Sequence, residues 1–217
     1  MEQEEWEKTL FDDGIEKAEG DKQENGWEEE QFDEEQEEVE KVSKFSFLKE
    51  LFIYIAIVAL CLFVIPKYVV QRTVVDGTSM LNTLKDEDNL MVEKLSYRFR
   101  DPERFDIIVF YPYGRDDERY FVKRIIGLPG ETIQIIGDRI FINGELLEEN
   151  YGKDPMTNSG IASEPLQLAD DEYFVLGDNR EISLDSRYSE VGPVKRELIE
   201  GKVVFRIYPF NSIGTVE

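Results

Sequence analysis

Three short stretches of this 217-residue chain carry side chains suited to covalent chemistry. The first is Asp76-Gly77-Thr78-Ser79-Met80-Leu81, in which a serine follows a glycine by two residues. Leaving the extended pair Val74-Val75, such a serine can project its hydroxyl from a bend, and Gly77 lets another backbone come close. The same spacing also suits a plain N-cap for a short helix starting at Met80. The second is Tyr120-Phe121-Val122-Lys123-Arg124-Ile125-Ile126. On a strand, Phe121, Lys123 and Ile125 share one face. A lysine between two apolar neighbours loses solvation, which lowers its pKa and fits it to act as a general base. Arg124 then points the other way, toward solvent; the alternative is an exposed Lys-Arg pair at a sheet edge. The third is the polar loop Gly177-Asp178-Asn179-Arg180-Glu181-Ile182-Ser183-Leu184-Asp185-Ser186-Arg187. Its carboxylates and arginines can pair to lock its shape, and an ordinary turn held by such contacts is the simpler account.

The chain has no histidine, so a hydrolase built from it must use a carboxylate, a lysine or a bound metal as its base. Its single cysteine, Cys61, allows neither an intrachain disulfide nor a zinc site of the cysteine type.

The elements that must position these residues are legible from the pattern around them. From residue 71 onward, runs at 109–111, 120–126, 132–136, 139–142, 173–176 and 202–208 are rich in Val, Ile, Phe and Tyr and read as strands. Leu128-Pro129-Gly130 suits a type II turn, and Asn143-Gly144 a two-residue hairpin. The best helical candidate in this region is the weak pattern at 84–95. The expectation is a small, mainly antiparallel β domain over residues 67–217.

Upstream, residues 51–65 are uncharged and strongly apolar, with Lys49, Glu50 and Lys67 at the flanks. A span of about 20 residues crosses a bilayer, so 47–66 fits a transmembrane helix within an anchor at 41–66. A buried core helix is the alternative. A cleaved leader is disfavoured, because the preceding region is acidic and no small-x-small site follows. Lys41, Lys44 and Lys49 precede the span while Lys67 and Arg72 follow it, which weakly favours a cytoplasmic N-terminus and an external C-terminal domain. Residues 1–40 carry −16 of the net charge of −23 and read as a disordered acidic tail. Such a balance argues against nucleic acid as a partner.

Taken together, the three chemical segments resemble, in order and spacing, the boxes of the bacterial type I signal peptidase family. The first is similar to the family's Ser-Met box, the second to its KRIIGLPGE box and the third to its GDNRxxSxDSR box. Arg104-Phe105-Asp106-Ile107-Ile108-Val109-Phe110 looks like its RGDIVVF strand, and the closing segment 201–214 is similar to the last strand of its small members. The resemblance covers residues 45–217 and leaves out the acidic tail.

What it implies is a membrane-bound serine endopeptidase that removes signal peptides from secreted preproteins, with a compact antiparallel β protease fold lying against the lipid bilayer. By the resemblance, Ser79 is the nucleophile, Lys123 the general base and Ser183 the serine that orients the lysine amine. Asp185 and Arg187 hold the site's shape as an ion pair. Val75, Leu84, Phe121 and Val122 line shallow pockets for small residues before the cut, and neither metal nor cofactor is needed. Three positions depart from the family pattern. Asn82 replaces a proline, Gly77 stands where some members have a serine that helps hold the oxyanion, and Phe105 stands where many have glycine. A self-cleaving repressor of related fold and a catalytically dead membrane-tethered binding module are the rival readings. The apolar span argues against the first, and retention of both Ser79 and Lys123 against the second.

Overall fold

The computed structural model describes residues 45–152 and 154–216, so the acidic stretch 1–40 lies outside the described residues. The chain divides into two units, Met1–Val58 and Ala59–Glu217. Helix α1, Phe45–Val64, is long and apolar enough to cross a membrane. No residue in its apolar window is buried, which is the opposite of a core helix. Its last turn, Leu60–Val64, is a π-helix, and a single α-helical turn, Ile65–Tyr68, follows.

From Val70 the chain is almost wholly β. Strands β1 (Val70–Val74), β2 (Asn89–Glu93), β3 (Ile107–Phe110) and β4 (Phe121–Gly127) come first. A small sheet of β5 (Thr132–Ile136), β6 (Arg139–Ile142), β7 (Glu145–Leu146) and β8 (Leu166–Gln167) interrupts them. The chain then returns as β9 (Glu172–Leu176), β10 (Val194–Lys195), β11 (Ile199–Tyr208) and β12 (Gly214–Thr215). The large sheet has the order β1-β2-β11-β3-β4-β9-β10, with β12 also against β11, and the small one β7-β6-β5-β8. Every pairing is antiparallel.

Both turns read from the sequence have the backbone they require. Gly130 takes φ +74, and the Glu131 N–H bonds the Leu128 carbonyl at 3.1 Å, closing the type II turn between β4 and β5. Asn143 and Gly144 both have positive φ, 55° and 85°, as a type I′ hairpin between β6 and β7 demands. Residues 84–95, by contrast, form no helix. They supply β2, a strand held between β1 and β11 whose Leu90 and Val92 are completely buried. A weak helical period there is overridden by pairing on both edges.

The long strand β11 is what joins the two halves of the large sheet. Its first half pairs with β3 and its second half with β2, and register shifts between Val203 and Phe205 and between Arg206 and Tyr208 let it serve both. Apolar clusters lie on the sheet faces: one around Leu84, Leu90, Val92 and Val203, another around Ile108, Phe110, Ile125 and Val175. A third, around Ile126, Ile133, Ile140 and Phe174, packs the small sheet against the large one.

Candidate active site

Ser79 leaves the end of β1 on a run of turns. The Leu81 and Thr83 N–H groups bond the carbonyls of Thr78 and Met80, both at 3.1 Å, and Leu84 N–H bonds that of Met80 at 2.8 Å. No helix forms, so the serine is not a helix cap. Gly77, at φ +97, makes the bend that aims the chain, and its N–H is held by Asp86 Oδ1 at 2.8 Å. Asn82 has φ +96, in the left-handed region that asparagine tolerates and proline cannot enter. The residue that departs from the family pattern therefore fits the backbone of this turn.

Lys123 lies on β4, in the interior of the large sheet between β3 and β9. It sits directly opposite Ile108 of β3, with Phe121 and Ile125 before and after it on the same face. Its side chain is 4% exposed. The amine Nζ lies 2.6 Å from Ser79 Oγ and 3.1 Å from the Val122 carbonyl, and 5.1 Å from the centre of the Phe121 ring. Burial pushes the Lys123 pKa down to about 8, while Asp185 and Asp178 pull it partly back up. An amine in this state is neutral in a useful fraction of molecules and touches the one hydroxyl it would deprotonate.

Arg124 corrects the expectation that it stays in solvent: it is completely buried. Alternation does send it to the other face of β4, but that face is covered too. Its guanidinium meets Asp178 in a two-pronged ion pair, Nε to Oδ1 at 3.0 Å and Nη2 to Oδ2 at 2.8 Å. It also donates to the Phe105 carbonyl at 3.0 Å and stacks 3.7 Å from the centre of the Tyr151 ring. Asp178 in turn accepts from Thr83 Oγ1 at 2.5 Å. The base strand, the polar loop and the turn after the nucleophile are thus bonded through one buried carboxylate. Breaking such a pair by removing one partner costs about 3–5 kcal/mol.

The loop from Gly177 to Arg187 is pinned on both sides. Asp185 and Arg187 form a second buried two-pronged pair, Nε to Oδ1 at 2.8 Å and Nη2 to Oδ2 at 2.9 Å. Arg187 also reaches the Arg180 carbonyl at 2.7 Å, and Asp185 accepts from the Gly177 N–H at 3.1 Å. Ser186 bonds the backbone of Val175 through both its N–H and its Oγ. Toward the nucleophile, the Asn179 N–H bonds the Ser79 carbonyl at 2.9 Å and its side-chain amide that of Thr78 at 3.2 Å. This approach needs glycine at 177, because a Cβ there would meet the Ser79 carbonyl oxygen at 2.5 Å and Ser183 Oγ at 2.2 Å. Ser183 is almost completely buried, and its hydroxyl has no hydrogen-bond partner among the described residues. The expected bond from Ser183 to the lysine amine is absent in this state.

A cleft of about 500 Å3 opens over the dyad, lined by Ser79, Lys123, Val75, Phe121 and Val122 together with Ile182 and Leu184. Leu84 corrects the expectation that it lines a pocket. The Met80–Leu84 turn carries it inward, and it is completely buried in the core beside Val75 and Met80. The sequence reading missed Ile182 and Leu184, although their alternation about Ser183 was a usable signal, and missed the Asp178–Thr83 bond, for which there was none. Phe105 has φ +71, the conformation for which glycine is the natural choice. Its ring packs 5.1 Å from that of Tyr151, which offsets the cost of a side chain there.

A buried lysine beside a serine, without histidine, is the arrangement of one kind of hydrolase, and comparison with known proteins agrees. Residues 46–208 match the family model of signal peptidase, peptidase S26. The chain belongs to that family. A signal peptidase I from Leptolyngbya laminosa is 42% identical over 156 residues, which is 69% of this chain and 74% of the relative. A signal peptidase I P from Bacillus subtilis subsp. natto is 35% identical over 166 residues, 73% of this chain and 88% of its own. A crystal structure of a signal peptidase I from Enterococcus faecalis V583 covers 48% of this chain and 97% of its own at 38% identity, with a TM-score of 0.39. As a member of the signal peptidase family, the chain is a serine hydrolase of peptide bonds with a mainly antiparallel β fold.

Proposed function

We propose that this protein cuts signal peptides from secreted preproteins, with Ser79 as nucleophile and Lys123 as general base. The observation that carries the assignment is the 2.6 Å contact between Ser79 Oγ and a buried Lys123 Nζ whose pKa is lowered to about 8. With the amine neutral, Ser79 donates its proton to Nζ as Oγ attacks the scissile carbonyl. The Ser79 N–H, which bonds no carbonyl among the described residues, is the donor for the tetrahedral oxyanion. Lys123 then protonates the leaving amine and afterwards draws a proton from water to free the acyl-enzyme. Ser183 steadies the charged amine as it forms, and the Asp185–Arg187 pair keeps the loop in place.

A substrate would bind extended. Strand β1 is the edge of the large sheet and runs straight into the cleft through Val75 and Asp76, so its outer backbone groups can pair with an added strand. Val75, Phe121 and Val122 leave room for small side chains before the cut. Residues 41–66 anchor the chain through α1, residues 67–217 form the protease domain, and the acidic tail at 1–40 stays cytoplasmic with the protease outside.

The test is incubation of the detergent-solubilised protein with an exported precursor, followed by N-terminal sequencing of the product. Cleavage after a small-x-small motif is expected from the parent and none from Ser79→Ala. A product from Ser79→Ala at the parent's rate would end the assignment. Protease added to wall-permeable cells should degrade the C-terminal domain and spare the acidic tail; the reverse would overturn the orientation.

A further inference from the structure

The chain is strongly acidic, yet one depression of the β unit gathers cations. It measures about 740 Å3 and is lined by Lys67, Lys94, Arg98, Arg115 and Arg196 against a single carboxylate, Glu200. That carboxylate is already shared. Lys94 Nζ donates to one of its oxygens, and Arg115 Nη1 to the other at 2.6 Å. Burial alone would raise the Glu200 pKa, but these two donors hold it below the usual carboxylate range, so it stays charged. Arg196 donates to the Tyr97 carbonyl and has Asp101, 90% exposed, only at 3.8 Å. Lys67 and Arg98 have no acidic partner among the described residues. They lie instead at 5.2 and 5.0 Å from the centre of the Tyr68 ring. Five cations against one carboxylate leave a surplus of four positive charges on the wall.

Its place in the chain says what could reach it. Lys67 and Tyr68 lie three and four residues past Val64, where α1 ends, and basic and aromatic side chains near the end of a span lie at headgroup depth. Leu62 and Phe63, from the last turn of that helix, add an apolar edge to the same depression. The combination of cations beside exposed hydrocarbon is the negative of a phosphodiester on an acyl-bearing glycerol. The chain's own acidic stretch at 1–40 is the other source of negative charge, and in the sequence the apolar span of α1 separates it from Lys67.

We propose that this depression binds the headgroup phosphate of an anionic phospholipid, held by Lys67 and Arg98 and backed by Arg196, with the acyl chains against Leu62 and Phe63. The proposal rests on α1 crossing the membrane.

The full-length chain is reconstituted in vesicles of phosphatidylcholine mixed with phosphatidylglycerol, and native mass spectrometry counts each lipid retained on the chain after detergent release. Phosphatidylglycerol should be enriched over its share of the mixture. The double variant Lys67→Gln/Arg98→Gln should lose that enrichment by roughly 25-fold, since each cation near an anionic surface is worth about fivefold in binding. Arg98→Lys should keep most of it. Both variants should cleave a soluble precursor peptide in lipid-free detergent at the parent's rate, because neither residue faces the cleft. Equal enrichment in parent and double variant overturns the proposal, and so does a loss produced by Lys49→Gln, at the other end of the span. Displacement of phosphatidylglycerol by inorganic phosphate in the buffer would make the ligand a soluble anion and overturn the lipid assignment. Release of the parent from vesicles by alkaline carbonate refutes the membrane anchor itself, whereas retention without lipid selectivity refutes the pocket alone.

Discussion

The dependence of cleavage on pH follows directly from the environment of Lys123. The perturbation is pH itself, and the group that responds is an amine whose pKa burial moves from 10.5 to about 8. Only the neutral amine accepts the Ser79 proton, so the rate follows the neutral fraction and rises with pH. At pH 7 that fraction is about one in eleven, and at pH 9 about ten in eleven, from a pKa of about 8. The rate should therefore climb about tenfold between pH 7 and pH 9 and level off above. An unshifted lysine would give about a hundredfold climb over the same interval with no plateau before pH 10. The assay is single-turnover cleavage of a precursor peptide in detergent, which reports the chemical step rather than product release. Lys123→Arg, which stays protonated, should be inactive, and any activity left in Lys123→His should rise nearer pH 6.5, about where histidine titrates. A limb centred near pH 4 to 5, about where carboxylates titrate, would place the base on a carboxylate and refute the lysine reasoning.

Three further outcomes can be checked. Lys123→Met should stabilise the protein at pH 7 by up to about 3 kcal/mol, because the folded state then no longer holds a desolvated ammonium. The sign follows from the lowered pKa: between about 8 and 10.5 the unfolded chain binds the proton and the folded chain does not, so the parent gains stability over that interval. The advantage of the variant in thermal unfolding should shrink there and vanish above it. Ser183→Ala should leave stability unchanged or raise it, since it removes a buried hydroxyl without a partner, while lowering the single-turnover rate; an unchanged rate would take Ser183 out of the mechanism. Gly177→Ala should lose nearly all activity, because its Cβ would press on the Ser79 carbonyl and Ser183 at once, and parent-like turnover would show that the loop moves freely.

The parts of the site that could be read from the sequence are those written in local spacing. Alternation put Lys123 between Phe121 and Ile125, and the Leu128-Pro129-Gly130 and Asn143-Gly144 turns followed from residue type alone. What could not be read depends on neighbours distant in the chain. Alternation gives the direction of Arg124 but not what lies there, and only the return of Asp178 and Tyr151 to that face makes it a buried ion rather than a solvated one. Leu84 was assigned to a pocket on the strength of a matching position, and a turn of five residues took it into the core instead. The positive φ of Phe105 and Asn82 is likewise invisible in the sequence, although both positions stood out as departures from the family pattern.

The placement of β11 has a consequence for how the site is held together. Ser79 follows β1, which pairs only with β2, while Lys123 lies on β4, which is reached through β3. Between β2 and β3 there is no direct pairing; Ile199–Tyr208 lies between them. The nucleophile and its base therefore belong to two separate parts of the large sheet, β1–β2 and β3–β4, and β11, far from both in sequence, joins them into one sheet. A chain truncated before Ile199 keeps Ser79, Lys123 and the loop bonded to both sides but loses the strand that holds their hairpins in one sheet, so damage to β11 reaches the 2.6 Å contact without touching either residue.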